Sequence, residues 1–106
     1  MTDLDPIACS LDAAELEARL AAANDFGQRS LLSRESDGGR HLLRFRSTPY
    51  VRARLEEMVE AERACCPFLK LELTLEADTI LLRIEAPAGA EPTAAGLAAA
   101  FAGAPA

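Results

Sequence analysis

Leu69, Leu71, Leu73 and Leu75 alternate with Lys70, Glu72, Thr74 and Glu76, and after Ala77-Asp78 the alternation resumes through Ile80, Leu82 and Ile84. A period of two sustained on both sides of a turn defines a β-hairpin with one apolar face. That face needs a cover, and the sequence supplies helices to provide it. Thr48 is placed to cap a helix with Pro49 at its first position, a strong start signal. Val51, Leu55, Met58, Val59 and Glu62 then fall on one face. Pro67 disfavours helical geometry at Cys66, so this helix is expected to end near Cys65.

The preceding part of the chain repeats the scheme. Asp12 and Glu15 form the acidic version of a capping box, and Leu11 and Leu16 a hydrophobic staple. Ala13, Leu16, Leu20 and Ala23 share a face, which predicts a helix to about Asn24, stopped by Asn24-Asp25-Phe26-Gly27. Two strand-like runs follow at about 29–36 and 41–47, separated by Asp37-Gly38-Gly39, a hairpin-turn composition. Aligning Leu16 with Leu55 carries Leu20 onto Val59, Leu32 onto Leu71, Leu43 onto Leu82 and Phe45 onto Ile84. The expectation is an α+β domain spanning 1–106, its core at about 7–87. Two hairpins build an antiparallel sheet and two antiparallel helices cover it, in the order α-β-β-α-β-β with a possible internal repeat. Pro87-Ala88-Gly89 ends the second hairpin, and residues 92–102 form a short Ala-rich helix anchored by Leu97 and Phe101.

Charge narrows the functional classes. The chain has 106 residues, a formal charge of -6 and a pI near 4.7. An acidic protein is poorly suited to nucleic acid or an anionic membrane. Arg40, Arg44, Arg46, Arg52 and Arg54 are interleaved with acids and apolar residues rather than clustered. The chain opens with Asp3 and Asp5, not with a basic segment followed by an apolar run, and no apolar run approaches membrane-spanning length. A cytoplasmic location is therefore expected, where thiols stay reduced. Three cysteines are too few for a disulfide scaffold and read as thiols.

Antiparallel helices would place the start of the first beside the end of the second. Cys9 would then approach Cys65 and Cys66, and the first hairpin turn would bring His41 to the same end. Glu62, one turn before the cysteines on the apolar face, needs a cation there. A soft metal held by the thiolates would supply one, and Arg19 or Arg63 would serve equally well. Adjacent thiolates suit Hg(II), As(III) or Cu(I). A structural zinc site would want four ligands, which Cys9, Cys65, Cys66 and His41 could supply, though paired Cys-x2-Cys spacing is missing. Against these readings stands the plain one, in which the cysteines are small buried apolar residues, Glu62 joins a salt bridge and His41 is a solvated strand-end residue.

Ala61-Glu62-Arg63-Ala64-Cys65-Cys66-Pro67-Phe68 resembles an Ala-Glu-x-x-Cys-Cys-x-Phe signature found in a group of small bacterial proteins without an assigned activity. Cys9 before an Asp-rich helix start and the hairpin end at Ala86-Pro87 are also similar to that group, so the likeness spans about 7–87. Such segments occur attached to, or encoded near, regulators of mercury and heavy-metal resistance. The resemblance implies handling of a thiophilic metal, with Glu62, Cys65, Cys66, Phe68 and Cys9 as the residues involved.

The leading expectation is cytoplasmic binding of a soft metal or metalloid ion by Cys65, Cys66 and Cys9. Glu62 would be ligand, neighbour or proton acceptor, and Phe68 a shield. Two alternatives stand beside it. One is a thiol-dependent enzyme, for organomercurial protonolysis with Glu62 catalytic or for redox chemistry. The other is a metal-independent interaction module, such as a homodimer formed through a strand edge or through Leu42 and Leu81 on the sheet face.

Overall fold

A computed structural model describes residues 13–103. Cys9, the cap at Asp12 and its staple partner Leu11 lie outside the described residues. The element order is α1 (Ala13–Ser30), β1 (Leu31–Asp37), β2 (Arg40–Arg46), α2 (Pro49–Cys65), β3 (Lys70–Leu75), β4 (Thr79–Glu85) and α3 (Glu91–Phe101). This is the α+β architecture that the two periodicities predict. The strands form one antiparallel sheet in the order β1-β2-β4-β3. The two hairpins meet along their second strands and leave β1 and β3 as edges.

The β2–β4 register carries the internal repeat into three dimensions. Leu43 pairs with Leu82, Leu42 with Arg83, and Arg44 with Leu81. Each of these pairs is related to its mirror pair by the alignment that sets Leu43 on Leu82. The sheet therefore has a pseudo-two-fold axis passing between Leu43 and Leu82, and each helix-hairpin unit is one half.

One face of the sheet is buried, through Leu43 and Phe45 of β2, Ile80, Leu82 and Ile84 of β4, and Leu71 of β3. From α2 it receives Val51, Leu55, Met58 and Val59, and from α1 Ala23 and Phe26. The predicted cap of α2 is present, with Thr48 Oγ1 accepting from Val51 N–H at 3.1 Å and Pro49 in the first turn. The other sheet face is half-exposed. It carries Arg44 between Glu35 and Glu76, and Arg83 between Glu72 and Glu85, around Leu42 and Leu81. Ion pairs this exposed contribute at most about 1 kcal/mol each. They keep this face charged.

Two features differ from the sequence reading. First, α1 does not stop at Asn24 but continues to Ser30. Glycine lowers helix stability by about 1 kcal/mol relative to alanine without ending a helix. The residue aligned with the helix-breaking Pro67 is here Gln28, which leaves the backbone free to continue. Gly27 has a different task. A Cβ at this position would lie 2.0 Å from the carbonyl oxygen of Phe101, so it admits the backbone of α3. Second, α3 belongs to the core. Ala90, Ala94, Leu97, Ala98, Ala100 and Phe101 are buried, and the Phe101 ring meets Phe45 edge-on at 6.5 Å.

Candidate metal centre

Residues three and four apart on a helix are neighbours. Glu62, Cys65 and Cys66 are spaced in that way across the last turn of α2. Pro67 ends the helix, but Cys66 still closes the ladder, donating its N–H to the Glu62 carbonyl at 2.7 Å. Its backbone leaves helical geometry at φ −126°, ψ 69°, while its position one turn beyond Glu62 is kept. Leu69 N–H then donates to Cys66 O at 3.1 Å, tying the turn that leads into β3.

The result is a buried group of three donor residues. One carboxylate oxygen of Glu62 and the sulfurs of Cys65 and Cys66 all lie within 4.8 Å of one another. The two sulfurs are 3.7 Å apart. Exposure is 4 % for Glu62, 4 % for Cys65 and 2 % for Cys66, so the group sits under the surface rather than on it. Phe68 is half-buried against the core beside the turn. Two sulfurs and one oxygen in such proximity could bind a metal ion.

A carboxylate this deep requires a counter-charge. It comes from the neighbouring helix: Arg19 Nη1 donates to Glu62 Oε2 at 3.2 Å. This contact joins the early part of α1 to the end of α2, as antiparallel helices require. Arg63, the other candidate partner, turns elsewhere, pairing with Glu60 and donating to the carbonyl of Leu71 at 2.7 Å. The two sulfurs are not in equivalent states. Cys65 is a free thiol, whereas Cys66 is disulfide-bonded.

His41 is not part of this group. It is buried on the helix-covered face of β2, in the same row as Ser36, Ile84 and Leu71. Its Nδ1 hydrogen-bonds Ser36 Oγ at 2.8 Å, and its Nε2 is buried with no hydrogen-bond partner among the described residues. Burial and the nearby Arg34 guanidinium both disfavour the imidazolium, holding its pKa below the usual histidine value. The expected solvated strand-end residue is thus a buried neutral one. The alternation His41, Leu43, Phe45 already places it on the apolar side.

The two units related by the pseudo-two-fold axis differ at this position. The alignment that sets Leu43 on Leu82 places Ala23, Phe26 and Gly27 opposite Glu62, Cys65 and Cys66. In the first unit that position is apolar and packed by Phe45 and α3. In the second it holds a carboxylate and two sulfurs. Comparison of the chain with protein-family models, curated proteins and solved structures found no match. No described helix is long and apolar enough to cross a membrane.

Proposed function

We propose that the reduced protein binds one thiophilic metal or metalloid ion, of the Hg(II), As(III) or Cu(I) type, through the thiolates of Cys65 and Cys66. The observation that carries this reading is the buried convergence of both sulfurs and the Glu62 carboxylate within 4.8 Å. Thiolates are soft donors and select soft ions. Charge balance favours a divalent ion in particular. Glu62 is already offset by Arg19, and two thiolates neutralise a 2+ ion, so the loaded site buries no net charge. Cys9 is the proposed third sulfur, which a trigonal As(III) site would need. Phe68 shields the site from water. Glu62 acts as a neighbouring charge or weak ligand. Its pairing with a guanidinium supports that role more than one as proton donor, and so supports binding over turnover.

The resemblance of the Ala-Glu-x-x-Cys-Cys-x-Phe segment to proteins that accompany heavy-metal regulators supports a role in heavy-metal resistance. The cytoplasm, which keeps thiols reduced, is the compartment where such a site would operate.

The test is anaerobic titration of the reduced protein with Hg(II), As(III), Cu(I) and Zn(II), followed by native mass and thiolate–metal ultraviolet absorption. One soft ion per chain, displaced only by strong thiol competitors, is the expected result. Cys65→Ser/Cys66→Ser should lose it. Unchanged stoichiometry in that variant would remove the proposal.

A further inference from the structure

We infer that the protein forms a symmetric dimer through β3, two copies of this strand pairing antiparallel so that two four-stranded sheets become one. This interface is independent of the metal site.

β3 is an edge of the sheet, so one side of its backbone faces no other strand. Glu76 and Thr79 exchange both of their backbone hydrogen bonds, at 2.8 and 3.4 Å. Antiparallel pairs alternate between bonded and non-bonded, so Thr74, Glu72 and Lys70 are the residues that bond to β4. The N–H and C=O groups of Leu71, Leu73 and Leu75 therefore point to the open side. Arg63 donates to the Leu71 carbonyl at 2.7 Å, which agrees with that direction. A carbonyl oxygen has two lone pairs, so Leu71 can still accept from an added strand.

The side chains specify another copy of β3 as that strand. A two-fold axis through Leu73, perpendicular to the sheet, keeps the helices of both copies on one face. It sets Leu73 opposite the partner's Leu73, and Leu71 opposite the partner's Leu75. On the other face Lys70 meets the partner's Glu76, and Glu72 meets the partner's Thr74. Apolar residues thus oppose apolar ones and charges oppose their complements. Lys70 is the chain's only lysine, and it is exposed without an ion pair among the described residues. Sliding by two residues is the smallest shift that keeps the faces matched. It opposes Glu72 to Glu72 in one direction and Glu72 to Glu76 in the other.

The helix cover follows the same plan. α2 starts beside β2 and ends beside β3, with β4 between them, so it crosses the sheet obliquely. Near its end Leu71 is 4 % exposed, whereas Leu75 on the same face is 52 % exposed. In the dimer the exposed Leu75 lies against the partner's Leu71, where the end of the partner's α2 stands. The other edge is unsuited to such pairing. β1 has a bulge between Leu31 and Ser33, and beyond it self-pairing sets Arg34 on Arg34 or Glu35 on Glu35.

The experiment is sedimentation of the full chain in reductant across the micromolar range, with amide hydrogen exchange at low and high concentration. A species of two 11.3 kDa chains is expected to grow with concentration. The Leu71, Leu73 and Leu75 amides should exchange more slowly in it. Lys70→Glu should weaken the dimer at least about 10-fold, because it turns two cross-strand attractions into repulsions. Glu76→Lys should do the same, and the double charge swap should restore most of the affinity. Both positions are exposed, so these variants keep the fold.

A monomer at every concentration would overturn the interface. So would a dimer indifferent to both charge reversals, with edge amides exchanging as in the monomer, since it would use another surface. Assemblies larger than two chains would show head-to-tail pairing and overturn the symmetric dimer. Cys65→Ser/Cys66→Ser should dimerise like the native chain, which keeps this result separate from that of the metal titration.

Discussion

Glu62 and His41 are two buried polar residues at the same end of the sheet, and each is stabilised in a different way. Glu62 depends on a partner charge from another helix. Arg19→Ala would leave the carboxylate without it. Removing one member of a fully buried pair costs about 3–5 kcal/mol, but the Arg19 side chain is 27 % exposed and water screens part of the loss. A destabilisation of about 1–2 kcal/mol is expected in urea unfolding of the reduced protein. Replacing both residues with leucine should be less damaging than Arg19→Ala alone, because it leaves no charge behind. A double variant that is worse than the single one would contradict an unpaired buried charge as the source of the loss.

His41 depends on remaining neutral. Its folded pKa lies below the unfolded one, so under mildly acidic conditions the unfolded chain binds a proton that the folded chain refuses. The stability tied to this residue is complete above the unfolded pKa of about 6.5 and is lost as pH falls toward the folded value. Between about pH 7.5 and 5.5, unfolding midpoints should fall more steeply for the native chain than for His41→Gln. Identical slopes would mean that the imidazole is solvated.

Among the elements, α1 and α3 are joined backbone to backbone at Gly27. Glycine to alanine within a helix ordinarily gains about 1 kcal/mol. Here the new methyl would meet the Phe101 carbonyl oxygen at 2.0 Å and the Gly103 nitrogen at 2.6 Å. Main-chain atoms cannot rotate away, so α3 must shift, and Phe101 must leave its place against Phe45. Gly27→Ala is therefore expected to destabilise by about 3 kcal/mol, at or above the usual cost of overpacking. Gly96→Ala is the control, because a Cβ there meets nothing within 4 Å. A thermal scan showing Gly27→Ala no less stable than Gly96→Ala would contradict the close approach of the two helices.

On the scale of the whole molecule, two units of similar architecture are unequal in chemistry. Both have a helix followed by a hairpin, and the sheet relates them through Leu43 and Leu82. The first unit contains Ala23, Phe26 and Gly27 where the second contains Glu62, Cys65 and Cys66. A phenylalanine and a glycine allow α3 to pack against one unit, whereas a carboxylate and two sulfurs leave a polar group under the end of the other. Leu43 and Leu82 continue the sheet across the axis, and the two units differ in polarity where each helix ends. The donor group is thus a local departure on an otherwise apolar scaffold.

Local chemistry made much of this readable in the sequence. The period of two in Leu69–Ile84 specifies a hairpin, Thr48-Pro49 starts α2, and Pro67 ends it after Cys65. Helical spacing alone puts Glu62 and the two cysteines on one side. All of these depend on residues a few positions apart, whose geometry the backbone dictates. The remainder depends on contacts between distant segments. Gln28 and the α3 backbone decide that α1 runs through Gly27, and Ser36 and Arg34 help decide that His41 is buried and neutral. Strand order was set by the pairing of Leu43 with Leu82, which leaves no local trace. Arg19, rather than Arg63, meets Glu62 because antiparallel packing brings the two helices together at that end, a choice that only the tertiary structure could make.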